Sequence, residues 1–66
     1  MSAGDLVKYL AGKGFDIRPG RGSHYVAKKG TLMAVIPADD ELASGTLHAI
    51  LAELRISREQ FLEDWK

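Results

Sequence analysis

The chain has 66 residues, nine basic and nine acidic, giving a formal charge of zero, and it contains no cysteine. This length admits one small domain, residues 1–66, with one core, and the composition excludes disulfides and thiolate metal sites. No apolar run is long enough to span a bilayer and no signal-peptide pattern is present, so a cytoplasmic location without membrane contact is expected. A core this small is marginal by itself, and association with another chain, a homodimer included, is expected to supplement it.

The zero charge conceals a dipole. Residues 1–30 carry six basic and two acidic side chains, a balance of +4, and residues 31–66 carry three basic and seven acidic, a balance of −4. Such a chain offers one surface to a polyanion and another to a different partner.

Ser2-Ala3-Gly4-Asp5 has the Ser-x-x-acid form of a helix start, in which the hydroxyl accepts a free amide. Leu6, Val7, Leu10 and Ala11 then share a helical face, and Gly12 and Gly14 end the helix. Phe15-Asp16-Ile17-Arg18 alternates apolar and charged residues as a strand does. Pro19-Gly20 fits the central pair of a type II turn, with the positive φ on Gly20. Ser23–Ala27 reads as a second strand, Lys28-Lys29-Gly30 as a basic turn, and Thr31–Ile36 as a third strand stopped by Pro37. The unbroken apolar character of that third strand predicts cover on both faces, a helix on one and a partner on the other.

An acidic connection, Ala38–Ala43, leads to a second helix opened by Ser44 or Gly45. There Leu47, Ile50, Leu51 and Leu54 recur at helical spacing as a core stripe. A short last helix begins at Ser57, with Gln60 as capping-box partner and Ile56 and Phe61 as hydrophobic staple. The order α-β-β-β-α-α predicts an α+β two-layer sandwich, a three-stranded antiparallel sheet with helices on one face.

The chemistry concentrates in Arg18-Pro19-Gly20-Arg21-Gly22-Ser23-His24-Tyr25. Glycine lets a backbone approach a phosphate closely, arginine grips phosphate oxygens, and histidine moves protons near neutral pH. Strand neighbours point to opposite faces, so His24 and Tyr25 part company. Tyr25, with its large apolar body, is expected to face the helices, leaving His24 and Lys28 on the open face. Gly22, Ser23, Arg18, Arg21, Lys28 and Lys29 are the candidate RNA and phosphate contacts, at least one of these cations being an ordinary solvated turn residue. His48 reads as a surface or boundary histidine, Asp39-Asp40-Glu41 as solvated charge rather than a metal site, and Phe61 and Trp65 as core or partner contacts.

In its ordered motifs the chain resembles the HicA toxin family. The matching pieces are the amphipathic helix closing in Lys13-Gly14-Phe15, then Gly22-Ser23-His24, then the strand closing in Val35-Ile36-Pro37. The helix opening Gly45-Thr46-Leu47-x-x-Ile50-Leu51 and the segment Ile56-Ser57-x-x-x-Phe61 follow in the same order. The resemblance implies a fold similar to a double-stranded-RNA-binding domain and ribosome-independent cleavage of mRNA. It also implies a catalytic His24 and neutralisation by a HicB-type antitoxin. Two positions depart from the family pattern: Tyr25 and Ala38 stand where many members have further histidines, which puts a second proton-transfer group in question.

RNA carries its own nucleophile in the 2′-OH, so cleavage needs that proton removed, the phosphorane charge stabilised and the leaving 5′-oxygen protonated. The expected role for His24 is general acid/base, first as base, with no metal and no cofactor. The alternatives are a non-catalytic RNA-binding module of the same fold and a domain that binds only a protein partner.

Overall fold

The computed structural model describes residues 1–65. Helix α1 spans Ala3–Gly12, and Ser2 Oγ accepts the Asp5 amide at 3.1 Å as the sequence predicts. Gly14 closes it at φ 92°, with the Phe15 amide on the Leu10 carbonyl and the Gly14 amide on that of Ala11. These paired bonds are a Schellman motif, which satisfies carbonyls the helix itself leaves free. Gly12 is the last helical residue, so the closure belongs to Gly14 alone.

Strands β1 (Asp16–Pro19), β2 (Tyr25–Lys29) and β3 (Leu32–Ile36) form an antiparallel sheet in sequence order. Ile17, Ala27 and Ala34 lie side by side across it, as do Tyr25 and Ile36, and this face meets the helices. The other face carries Arg18, Val26 and Val35 in one row and Asp16, Lys28 and Met33 in the next. Met33 and Val35 are 53% and 50% exposed, so this chain alone leaves one face of β3 uncovered.

The register moves the first turn away from the expected Pro19-Gly20 pair. Pro19 is the last residue of β1, opposite Tyr25, and Gly20 does not take the left-handed conformation. Packing Ile17 and Ala27 on the helix face fixes the ladder, and extending it brings Gly20 opposite His24. The Gly20 amide donates to the His24 carbonyl at 2.8 Å, and the His24 amide to the Arg21 carbonyl at 3.2 Å. The inner turn is therefore Arg21–His24, and Gly22 supplies the positive φ, 62°. The second turn is shorter than expected. Lys28 and Lys29 belong to β2, and Gly30-Thr31 alone joins Lys29 to its partner Leu32, with Gly30 at φ 61°. Glycine at the first central position is what a two-residue hairpin of this hand requires.

Helix α2 spans Ser44–Glu53; its N-cap, Ala43, makes no side-chain capping bond. Its C-terminus repeats the Schellman pattern of α1: the Ile56 amide reaches the Leu51 carbonyl, the Arg55 amide that of Ala52. Here the left-handed position is filled by Arg55, at φ 59°. Helix α3 spans Arg58–Asp64, and Ser57 Oγ accepts the Gln60 amide at 3.1 Å. The return half of the expected capping box is not made, because Gln60 Nε2 turns to Asp64 Oδ1 at 2.8 Å.

Leu6, Leu10, Ile36 and Leu54 are the largest fully buried side chains. Around them α1 packs on β1 and β2 and α2 on β3, over the small side chains of Ala27 and Ala34. Helix α3 joins α1 through Tyr9, which meets Phe61 edge-on with ring centroids 5.1 Å apart. The acidic connection braces the N-terminus: the Ala3 amide donates to the Asp39 carbonyl and the Met1 ammonium to Glu41. Among the described residues no helix is long and apolar enough to cross a membrane.

Candidate RNA-cleavage site

The Arg21–His24 turn and the open sheet face enclose a groove of about 670 Å³, lined by Gly20, Arg21, Gly22, Ser23, His24, Val26 and Val35. Each part has a local cause. Gly22 takes a conformation that a side chain disfavours, and adding a Cβ to Gly20 would bring it within 3.3 Å of the His24 carbonyl oxygen and of Val26 Cγ2. Both glycines thus hold the backbone at the lip of the groove. His24 precedes β2 and shares the alternation of Val26 and Lys28, so it belongs to the open face. Tyr25 is half-buried and packs against the core on the other face.

His24 is exposed, and its imidazole makes no hydrogen bond or ion pair with the described residues. The groove contains no second histidine and no carboxylate. Arg21 is the cation beside it, exposed and without an ion-pair partner among the described residues. The floor, Val26 and Val35, is a part of the site that sequence reading assigned to ordinary strand residues. Alternation in a correctly registered hairpin is the only signal that could have identified it.

The other candidate contacts divide. Arg18 sits opposite Val26 on the open face, with its Nε 2.9 Å from Asp16 Oδ2. Lys28 lies further along β2, four residues from His24 or about 13 Å at ordinary strand rise. With Asp16, Arg18 and Gly30 it borders a separate polar groove. Lys29 points to the helix side: its Nζ donates to the Lys13 carbonyl at 2.9 Å and lies 5.5 Å from the Phe15 ring centroid. Turn, His24 and Arg21 are together, Arg18 and Lys28 continue the same face, and Lys29 is employed elsewhere.

A groove of about 600 Å³ on the helical side is lined by His48, Leu51, Ala52, Arg55, Ile56, Ser57 and Arg58. It holds a histidine and two arginines, but no glycine turn admits a phosphate close to the backbone there. Among the described residues no group of three or more histidine and carboxylate side chains converges as a metal site.

Comparison with curated proteins and with solved structures returned no significant match. The family model described as the HicA toxin of bacterial toxin–antitoxin systems matches residues 3–56, which include the whole sheet, the Gly22-Ser23-His24 turn and both major helices. With its fold and its ordered motifs in agreement over most of its length, the chain belongs to the HicA toxin family.

Proposed function

We propose that this toxin is an endoribonuclease that cleaves mRNA at the groove beside Gly22-Ser23-His24. The observation that carries the reading is His24 itself: an exposed, unengaged imidazole at the rim of a glycine turn, with an unpaired arginine and an apolar floor beside it. A phosphodiester laid in the groove meets Arg21 and the turn backbone through its non-bridging oxygens. A base is accommodated against Val26 and Val35. His24 removes the 2′-OH proton, the oxygen attacks the adjacent phosphorus, and the bond to the 5′-oxygen breaks. The products are a 2′,3′-cyclic phosphate and a 5′-hydroxyl. No second side chain of suitable acidity lines the groove, so the leaving oxygen takes its proton from solvent. This scheme needs no metal and no cofactor. Arg18 and Lys28 hold phosphates further along the same strand face, and Lys29 does not take part.

A HicB-type antitoxin neutralises the enzyme by covering the groove. Its acidic groups would meet Arg21 and its apolar groups the valine floor, an arrangement that suits the basic half of a dipolar chain.

The test is incubation of purified protein with a long single-stranded RNA in EDTA, beside His24→Ala and His48→Ala. Cleavage to cyclic phosphate ends that falls about 10²–10⁴-fold in His24→Ala and persists in His48→Ala is the expected result. A folded wild-type protein that binds RNA without cutting it is a binding module instead. Loss confined to His48→Ala would move the site to the helical groove.

A further inference from the structure

We infer that β3 is a joining edge, at which two copies of this chain pair antiparallel into one six-stranded sheet. The two edges of the sheet differ in kind. β1 is four residues long and carries Asp16, Arg18 and Pro19, and charges and proline at an edge discourage the addition of another strand. β3 is Leu32-Met33-Ala34-Val35-Ile36, with neither charge nor proline in it. Among the described residues the only backbone partner of β3 is β2, which leaves its outer row of amides and carbonyls free. Such an edge is a template for a strand.

The sequence of β3 favours a second copy as that strand. Antiparallel pairing about Ala34 sets Met33 opposite Val35 of the second copy and Leu32 opposite its Ile36. The two exposed apolar side chains of the strand then cover each other on the open face, as directly opposed side chains do in antiparallel ladders. No charge enters the seam, so self-pairing meets no repulsion. A 66-residue chain also has the most to gain from a partner that extends its core.

The pairing changes the groove beside His24. Val35 is part of that groove's floor, and Met33 of the second copy would lie directly beside it, extending the floor across the seam. Both His24 grooves then open on one face of the joined sheet. On the helical side α2 rests on β3. Two such helices need about 8–10 Å between axes where neighbouring strands stand about 4.7–4.9 Å apart, so they must splay over the seam.

Sedimentation equilibrium of the purified chain, from micromolar to millimolar concentration, tests the pairing independently of RNA cleavage. Wild type is expected to reach twice the 7.2 kDa chain mass. The double variant Met33→Glu with Val35→Glu, which opposes like charges across the seam, is expected to stay monomeric with an unchanged helical circular dichroism spectrum. Met33→Lys with Val35→Glu sets opposite charges across the same register and is expected to restore the dimer. Hydrogen exchange of wild type, which needs no variant, should show β3 amides gaining protection as concentration rises while β1 amides do not. A wild-type chain that stays monomeric at millimolar concentration overturns the inference, as does a double-glutamate variant that still dimerises. Failure of the lysine–glutamate pair to restore the dimer overturns it too.

Discussion

The Tyr9 hydroxyl donates a 2.8 Å hydrogen bond to Asp64 Oδ2, tying the middle of α1 to the end of α3. Lys13 Nζ reaches the same oxygen at 2.9 Å. The bonds from Lys13, Gln60 and Tyr9, in that order, hold the Asp64 carboxyl down at about 2. Burial first, and the Asp64 bond second, push Tyr9 up to about 12. Asp64 therefore contributes stability that is complete above its ordinary value of 3.8 and is lost as pH falls toward 2. Tyr9 contributes stability that is complete below 10.0 and lost as pH rises toward 12. Asp64 is exposed, so solvent screens its part. Urea unfolding across pH should show a plateau with an acid limb that shrinks in Asp64→Asn and an alkaline limb that shrinks in Tyr9→Phe. An acid limb unchanged in Asp64→Asn would assign acid sensitivity to other carboxylates.

Leu10 is fully buried where α1 meets the sheet, and its carbonyl also closes the helix end. Leu10→Ala leaves a cavity among neighbours that cannot collapse freely, at a cost of about 2–5 kcal/mol. A domain of this size has roughly 3–10 kcal/mol in all. The variant should therefore keep roughly half of that stability and melt well below wild type. Leu62→Ala, at a position 58% exposed, should change the melting temperature little. Thermal circular dichroism of the pair checks both halves.

Arg55 and Gly14 occupy the same place in two Schellman motifs, and only one of them is glycine. A left-handed conformation costs a side-chain-bearing residue roughly 1–2 kcal/mol, and glycine's extra chain entropy returns roughly 0.5–1 kcal/mol of that. Arg55→Gly should then stabilise the fold by about 0.5–1 kcal/mol. Gly14→Ala should destabilise it by a similar amount, the added methyl meeting Lys29 Nζ at 3.5 Å. Denaturant midpoints of opposite sign in the two variants are the expected outcome. A destabilised Arg55→Gly would mean that the arginine's attraction to the helix C-terminus outweighs the strain.

Much of this molecule can be read from its chain because local chemistry and tertiary packing agree. Ser2, Gly14 and Ser57 mark helix ends where the structure places them, and the spacing of Leu47, Ile50, Leu51 and Leu54 announces the buried side of α2. The parity that separates His24 from Tyr25 follows from strand geometry alone. What the chain hides depends on distant partners. The shift of the first turn from Gly20 to Gly22 is imposed by the register of Ile17 against Ala27, which no local signal encodes. Arg55 in a glycine position looks like any surface arginine. Lys29 reads as a free cation until the Lys13 carbonyl and the Phe15 ring are brought beside it. Val26 and Val35 read as ordinary strand residues because the sequence does not show the register that sets them side by side beneath the turn.

Lys28 and Lys29 are neighbours in sequence with different employment, and salt dependence separates them. Lys28 is exposed on the open face, opposite Asp16 and Met33, whereas Lys29 is anchored to Lys13 and Phe15. A lysine that neutralises one phosphate of a single strand contributes about 0.7 to the slope of log affinity against log salt. Lys28→Ala should lower that slope by about 0.7 and leave the melting temperature nearly unchanged. Lys29→Ala should leave the slope alone and lower the melting temperature, because it removes a charge-assisted hydrogen bond that joins β2 to the end of α1. Both are measured in the His24→Ala background, which the proposed mechanism makes catalytically silent, so that RNA stays intact during titration. Equal slopes for the two variants would mean that RNA follows both sides of the strand, and the phosphate path would have to be drawn around the Gly30 turn instead of along the open face.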